Sequence, residues 1–273
     1  MVIDHASQTT LITGASSGIG AALARRLAER GSDLVLVARR AERLDVLAAE
    51  LREAHGVRVE SVPADLGLPG AGGAPAAEVD RRRLRVTGLV NNAGVGSDGA
   101  FADQDPERME ALLALNVTAL VDVPRAFVDR LSAAPGGYLV NVASAAAYQP
   151  IPGMAVYSAS KAFVLNLTEA LWWETRGSGL RTLAFSPGLT GSEFFDGIGA
   201  DGYGNGFQTP DEIARVLVRA LDRRRSGPSA VSRASIALSA GPTRFLGRRA
   251  TVLAAVRGAD SAALMRKRRP VGA

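Results

Sequence analysis

The sequence predicts an α/β fold: a single domain built on one Rossmann-like, doubly wound parallel sheet with helices on both faces. Three observations carry this prediction. Short apolar runs rich in Val, Leu and Ile alternate with helical periodicity up to about residue 190, and strands that must run parallel need such helical crossovers between them. A glycine-rich turn, Thr13-Gly14-Ala15-Ser16-Ser17-Gly18-Ile19-Gly20, joins the first run to the first helix. The chain has 273 residues, which suits one α/β domain or two small ones, and with 47% of them hydrophobic it can bury a sizeable core.

The elements follow in order. Thr10 to Thr13 and Asp33 to Ala38 read as strands; between them Ile19, Leu23 and Leu27 recur every four residues, an amphipathic helix. Leu44, Leu47 and Leu51 mark a second helix that stops near Gly56. Val57 to Val62 and Val86 to Val90 are the third and fourth strands. Asp105-Pro106-Glu107 pairs a cap with a proline at the first helical position. The helix it opens carries Met109, Leu112, Leu113, Val117 and Leu120, and Pro124 is expected to kink or end it. Tyr138 to Ala143 is a fifth strand, Ala155 to Arg176 a long helix and Leu180 to Phe185 a sixth strand. Thr209-Pro210-Asp211-Glu212 opens a further helix with a capping box. Two segments interrupt this rhythm. Gly67 to Pro75 reads as a flexible loop where a helix would be expected. Gly188 to Gly206 is glycine-rich with Phe194, Phe195, Ile198, Tyr203 and Phe207 interleaved, the pattern of a lid with an apolar inner face; a plain surface loop would show the same composition.

Composition excludes several function classes. There is no cysteine, hence no disulfide framework, thiolate metal site or cysteine nucleophile. His5 and His55 are too few for a histidine-built metal site, so no metal is expected, and both read as ordinary surface residues beside turns. Asp4 and His5 interrupt the N-terminus as a signal peptide, and no apolar run approaches the roughly 20 residues that span a bilayer. A soluble, cytoplasmic protein is the expectation. The net charge of +5 comes from arginine, since only Lys161 and Lys267 are lysines. These arginines are scattered and aromatics make up only 5% of the chain, so no nucleic-acid platform is expected.

Three motifs carry chemistry. Glycines in the Thr13–Gly20 turn let the backbone bend tightly and approach a pyrophosphate, which a helix N-terminus favours electrostatically. The spacing is GxxxGxG rather than the commoner GxGxxG. The second strand ends Val37-Ala38-Arg39-Arg40: no acid is placed to repel a phosphate, and two planar guanidinium forks suit the 2′-phosphate of NADP(H). The same arginines would also fit the solvated start of a helix. Tyr157 and Lys161 lie four residues apart, one helical turn on one face. A lysine charge about 5 Å from the phenol contributes roughly 3 kcal/mol at an effective dielectric near 20. That equals about two pK units, enough to bring a tyrosine towards acid–base work.

Taken together, from about residue 8 to residue 225, these motifs resemble the classical short-chain dehydrogenases/reductases. Asn91-Asn92-Ala93-Gly94 matches that family's NNAG signature, and Ser144 stands 13 residues before Tyr157 of its YxxxK. The resemblance implies catalysis by Asn116, Ser144, Tyr157 and Lys161. Tyr157 would donate the proton as the nicotinamide delivers hydride, and Ser144 would hydrogen-bond the same oxygen. Lys161 would hold the ribose hydroxyls and depress the tyrosine pKa, and Asn116 would anchor a water that relays protons to it. The implied cofactor contacts are Gly14, Ser16, Ser17, Gly18, Ile19 and Gly20, then Arg39 and Arg40, then Asp65 and Leu66 after the third strand. Asn92, Ala93 and Gly94 follow, with Tyr157, Lys161, Pro187, Gly188 and Thr190 on the nicotinamide side. The expected protein is an NADP(H)-dependent oxidoreductase acting on a small carbonyl or alcohol, with an apolar ketone or secondary alcohol favoured by the aromatic lid, and a homodimer or homotetramer. A catalytically silent NADP-binding scaffold or sensor is the alternative. Residues 1–225 form the family-like domain, with the substrate loop at about 189–208, and 226–273 an extension. Arg248, Arg249 and the run Met265 to Arg269 in that extension could touch a membrane surface or a second subunit, although a solvated helix and tail is the simpler reading.

Overall fold

The structure is a computed structural model and describes residues 3–195, 206–223, 227–243 and 247–258. Seven parallel strands form one sheet in the order β3-β2-β1-β4-β5-β6-β7. They are β1 (Thr9–Thr13), β2 (Asp33–Ala38), β3 (Val59–Pro63), β4 (Gly88–Asn91), β5 (Tyr138–Val142), β6 (Arg181–Ser186) and β7 (Ser229–Val231). The order reverses between β1 and β4, so the loops leaving these two strands diverge and open a crevice at their carboxyl ends. Successive residues of β1 serve opposite faces. Ile12 packs with Leu23, Leu27 and Leu217, whereas Leu11 packs with Val123, Phe127 and Leu131.

Helices α1 (Gly18–Ala28), α2 (Ala41–His55) and α7 (Pro210–Leu221) supply the first face. Gly56, at φ 66°, ends α2 in the left-handed conformation, as its sequence predicts. Thr209 and Glu212 close the predicted capping box on α7. On the other face lie α3 (Ala74–Arg81), α4 (Pro106–Leu113), α5 (Leu120–Ser132) and α6 (Ala155–Glu174). Asp105 caps α4 by accepting from the Glu107 amide. Beyond β7 follow α8 (Ala234–Thr243) and α9 (Arg248–Gly258).

Several expectations are corrected. The Gly67 to Pro75 segment is not a loop throughout: a 3-10 turn at Ala71–Gly73 leads into α3, with Pro75 in the helix's first turn. A side chain at Gly72 would come within 2.3 Å of Asp122 Cβ, so the glycine serves a close approach to α5. Pro124 does not end its helix, because α5 continues to Ser132. Proline cannot donate to the carbonyl four residues back, that of Leu120, and Asn91 Nδ2 donates to it instead at 3.0 Å. His5 is buried, 2.9 Å from Asp222 and edge-on to Tyr138, while His55 is exposed as expected. The helical stretch 106–132 is long and apolar enough by composition to cross a bilayer, contrary to the expectation; here Val123, Phe127 and Leu131 pack it against the sheet. The sheet itself extends past residue 225, since β7 pairs with β6. The basic run Met265 to Arg269 lies outside the described residues.

Candidate active site

A cleft of about 980 Å³ opens along the carboxyl ends of the strands. One wall is the glycine turn. Gly14 has φ 68°, and a side chain there would stand 2.9 Å from Asn92 Nδ2 and 3.0 Å from Ala93 Cα. A side chain at Gly20 would fall 2.2 Å from the Gly14 carbonyl. Glycine at both positions therefore lets the turn close on itself and on the β4 loop. No side chain caps the N-terminus of α1, and Gly18 and Ile19 line the cleft, so the helix presents its positive end there. Thr13 Oγ1 accepts from the amides of Asn92 (2.9 Å) and Ala93 (3.0 Å), tying the two sides of the switch point together. Gly20 itself is buried behind the turn and does not reach the cleft wall.

At one end of the cleft the two predicted arginines diverge. Arg39 is largely exposed and lies 3.9 Å from Asp65. Arg40 turns onto the glycine loop: its Nη2 donates to Ser16 Oγ at 3.0 Å and to Ser17 Oγ at 2.9 Å. Asp65 accepts from the Gly67 amide at 3.0 Å, and Leu66 is buried beside it. The sequence places no acid on Arg40, but the fold does. Glu193 reaches Arg40 Nη1 at 2.8 Å and also pairs with Arg43, which the sequence reading did not include.

The opposite end brings Ser144, Tyr157 and Lys161 together. Ser144 follows β5 and caps a 3-10 turn, its Oγ accepting from the Ala146 amide at 3.1 Å. That use of a lone pair leaves its O–H to donate. Tyr157 and Lys161 share a face of α6, both buried, with Nζ 5.9 Å from the ring centroid. Burial pushes the Tyr157 phenol up to about 12, opposed by the Ser144 hydroxyl. Burial likewise brings the Lys161 ammonium down to about 8. The expected depression of the tyrosine by the lysine does not figure in this shift: desolvation raises the phenol and only the Ser144 hydroxyl opposes it, while Nζ donates to the Val142 carbonyl at 3.0 Å.

Asn116 sits in a π-helical turn, Ala114–Ala119, where the helix widens between α4 and α5. It is fully buried and off the cleft wall. Its amide clamps the Val95 backbone in both directions, at 3.0 and 2.9 Å, and reaches Ser160 Oγ at 3.2 Å. A side chain at Gly94 would stand 3.1 Å from Asn116 Oδ1 and 3.3 Å from Lys161 Nζ, so Gly94 keeps these two groups adjacent.

Pro187, Gly188 and Thr190 line the cleft after β6. The Pro187 carbonyl accepts from the Ala145 amide at 2.8 Å, and the Gly188 amide donates to Ser232 Oγ at 2.9 Å. Phe194 then crosses over the cleft, its ring 5.4 Å from that of Tyr157. Val95, Ile151 and Met154 complete an apolar wall near the tyrosine. Of the expected lid residues, Ile198 and Tyr203 lie outside the described residues. Sequence reasoning missed Arg43, Arg108, Met154 and Ile236 on the cleft wall or its rim. Arg43 had a cue, one helical turn beyond Arg39 and Arg40; the others have none local to them.

Known proteins are similar to this chain in both sequence and fold. Sulfoacetaldehyde reductase 2 of Chromohalobacter salexigens is 38% identical over 190 residues, 69% of this chain and 75% of that one. The structure of a short-chain dehydrogenase from Sphingobium yanoikuyae in complex with NADPH superposes with a TM-score of 0.78 at 38% identity, covering 97% of this chain and 98% of that one. A bulky-bulky ketone specific alcohol dehydrogenase from Comamonas testosteroni gives 0.72 at 32% identity, covering 97% and 96%. The family model of the short chain dehydrogenases matches residues 8–201, and with its motifs in their expected order around one cleft the chain belongs to that family.

Proposed function

We propose that this short-chain oxidoreductase is an NADP(H)-dependent carbonyl reductase or alcohol dehydrogenase, with Tyr157 as its acid–base and an apolar ketone or secondary alcohol as substrate. The observation that carries the proposal is a single cleft with a guanidinium-lined phosphate pocket at one end and Ser144, Tyr157 and Lys161 at the other. The glycine turn fits a dinucleotide, because glycine at 14 and 20 lets it close tightly while the uncapped N-terminus of α1 faces the cleft at Gly18 and Ile19. Arg40, Ser16 and Ser17 would hold the 2′-phosphate, with Arg39 and Asp65 flanking the adenine side; the NADPH complex of the Sphingobium relative supports this cofactor. When bound, the cofactor supplies or accepts the hydride.

The protein's own part is to place and move a proton. A phenol raised to about 12 stays protonated at neutral pH, so Tyr157 is ready to donate to a substrate oxygen. Ser144, with its O–H free to donate, steadies the same oxygen. Lys161 would grip the ribose hydroxyls, and Asn116 fixes the Val95 and Gly94 backbone beside it. Phe194, Ile151 and Met154 exclude water and favour an apolar substrate, in keeping with the ketone-specific relative. One observation favours a second reading. Arg108 is exposed at the rim, makes no ion pair among the described residues, and would suit an anionic carbonyl such as the substrate named for the Chromohalobacter relative. The reading includes a cytoplasmic location, supported by the packing of helix 106–132 against the sheet. It also includes pairing through the helices that carry Asn116 and Tyr157, supported by exposed Leu113 on α4 and exposed Phe163 and Trp173 on α6.

A panel of neutral bulky ketones and of small anionic aldehydes, followed by NADPH absorbance, tests the function. Neutral ketones should turn over faster, and Tyr157→Phe should lower turnover by about 10²–10⁴-fold while leaving NADPH affinity in place. Faster anionic substrates that slow in Arg108→Ala would establish the second reading. A Tyr157→Phe enzyme with most of its activity would sink the mechanism, and an inert wild type would leave the scaffold alternative standing.

A further inference from the structure

Glu193 is the one carboxylate of the substrate lid that crosses to the far end of the cleft among the described residues. Its Oε2 accepts from Arg40 Nη1 at 2.8 Å and its Oε1 from Arg43. These two guanidinium groups hold its carboxyl down at about 2. Arg40 is at the same time the donor fork on Ser16 and Ser17 of the glycine loop. The strap is tight at the loop as well: a side chain at Gly18 would meet Ser192 Cβ at 3.3 Å.

The residue after Glu193 reaches the catalytic end. The Phe194 ring lies 5.4 Å from the Tyr157 ring, tilted 55° to it, and a side chain at Gly96 would fall 2.4 Å from the Phe194 ring. Two consecutive residues of one short turn thus touch the phosphate end and the proton donor. The base of the lid is pinned separately: the Gly191 amide donates to the Gln208 carbonyl at 2.9 Å, and the Gln208 amide to the Leu189 carbonyl at 2.8 Å. The turn just beyond this base is held by Glu193 on its arginines and by Phe194 beside the tyrosine.

We propose that Glu193 is a cofactor-sensing latch: its carboxylate occupies Arg40 and straps the 192–195 turn down, and a nucleotide 2′-phosphate releases it by taking Arg40 for itself. The proposal rests on the NADP(H) reading of this cleft. A phosphate carries up to two charges and three acceptor oxygens, so it outcompetes one carboxylate for a guanidinium fork. Two anions on the same fork repel, so phosphate and carboxylate exclude each other there. A nucleotide with a free 2′-hydroxyl offers no anion at this position and leaves the latch shut. Preference for NADPH in binding then comes from attraction to Arg40 and is reduced by the cost of displacing Glu193; what the displacement adds is that only the phosphorylated nucleotide moves Phe194 relative to Tyr157.

The test uses Glu193→Gln, an exposed and nearly isosteric change, with 2′,5′-ADP and 5′-AMP as probes that stop short of Tyr157. In the wild type, 2′,5′-ADP should speed hydrogen exchange of amides 191–195 and 5′-AMP should not. In Glu193→Gln those amides should exchange fast without any nucleotide. Calorimetry should show 2′,5′-ADP and NADPH binding about three- to tenfold tighter than in the wild type, the range expected for removing one exposed competing ion pair, with a smaller change for 5′-AMP and NADH. Arg43→Gln, which cuts the strap but keeps Arg40, should also speed exchange. An unchanged ratio of 2′,5′-ADP to 5′-AMP affinity in Glu193→Gln overturns the latch, as does weaker binding of both. A wild type that binds 2′,5′-ADP no better than 5′-AMP overturns the NADP(H) reading, and the latch with it.

Discussion

At the scale of single residues, the site is governed by burial. Tyr157 and Lys161 are both buried in the cleft wall, and each is driven towards its uncharged form, the phenol up to about 12 and the ammonium down to about 8. The two shifts act differently on the reaction. A protonated phenol is what carbonyl reduction needs, and it persists across the working range. The lysine charge is complete below about pH 8 and is lost as pH rises through that value. Reduction should therefore hold a plateau below about pH 8 and decline above it. In Lys161→Arg, whose guanidinium keeps its charge, the overall rate should fall because the planar group places its donors differently, but the alkaline decline should disappear. Profiles of kcat/KM against pH for the two proteins check this. The same decline in both would show that Lys161 is not the titrating group.

At the scale of elements, the widened turn and the proline after it are the notable departures from regular helix. The π-turn at Ala114–Ala119 puts Asn116 against the Val95 backbone, and Pro124 removes a donor from the next turn. Asn91, the first residue of the NNAG run, supplies the missing bond to the Leu120 carbonyl and accepts from Thr13 Oγ1 at 3.3 Å. The end of β4 is thus stitched to the start of α5, next to the cofactor turn. Asn91→Ala should cost about 1–3 kcal/mol by leaving buried groups unsatisfied. Pro124→Ala restores an amide able to donate to Leu120, so the cost of Asn91→Ala should be smaller in that background. Urea denaturation of the four proteins of this cycle measures the coupling, and strictly additive losses would refute the pairing.

At the scale of the whole molecule, the seam between the N-terminus and α7 and the exposed faces of the outer helices matter most. His5 and Arg30 both bind Asp222, closing the N-terminal segment onto the end of α7. On the opposite side, Trp173 stays largely exposed with the Arg176 guanidinium 3.6 Å above its ring, and Leu113 and Phe163 are also open to solvent. Apolar side chains left uncovered on neighbouring helices favour self-association. Light scattering at micromolar concentration should give a homodimer or homotetramer, and Phe163→Glu should shift it towards monomer. A wild-type monomer under these conditions would refute the assembly.

Much of the protein could be read from sequence because its signals are local. Strand and helix periodicities report which faces are buried, so β2 fell at its predicted bounds and Asp105 and Thr209 cap the helices they were expected to open. The glycine turn, the Arg39-Arg40 pair, Ser144 and the Tyr157–Lys161 spacing are local too, and the fold brings all of them to one cleft. Local composition misled at Gly67 to Pro75, where glycine answers a contact with Asp122 and proline starts a helix. What only the tertiary structure decided depends on groups far apart in the chain: Glu193 on Arg40, Phe194 on Tyr157, Asn91 on Leu120 and His5 on Asp222. The direction of the Tyr157 shift belongs there as well. Spacing shows that a lysine stands one turn away, but only the packed core shows how little water reaches either group, and desolvation is the larger effect.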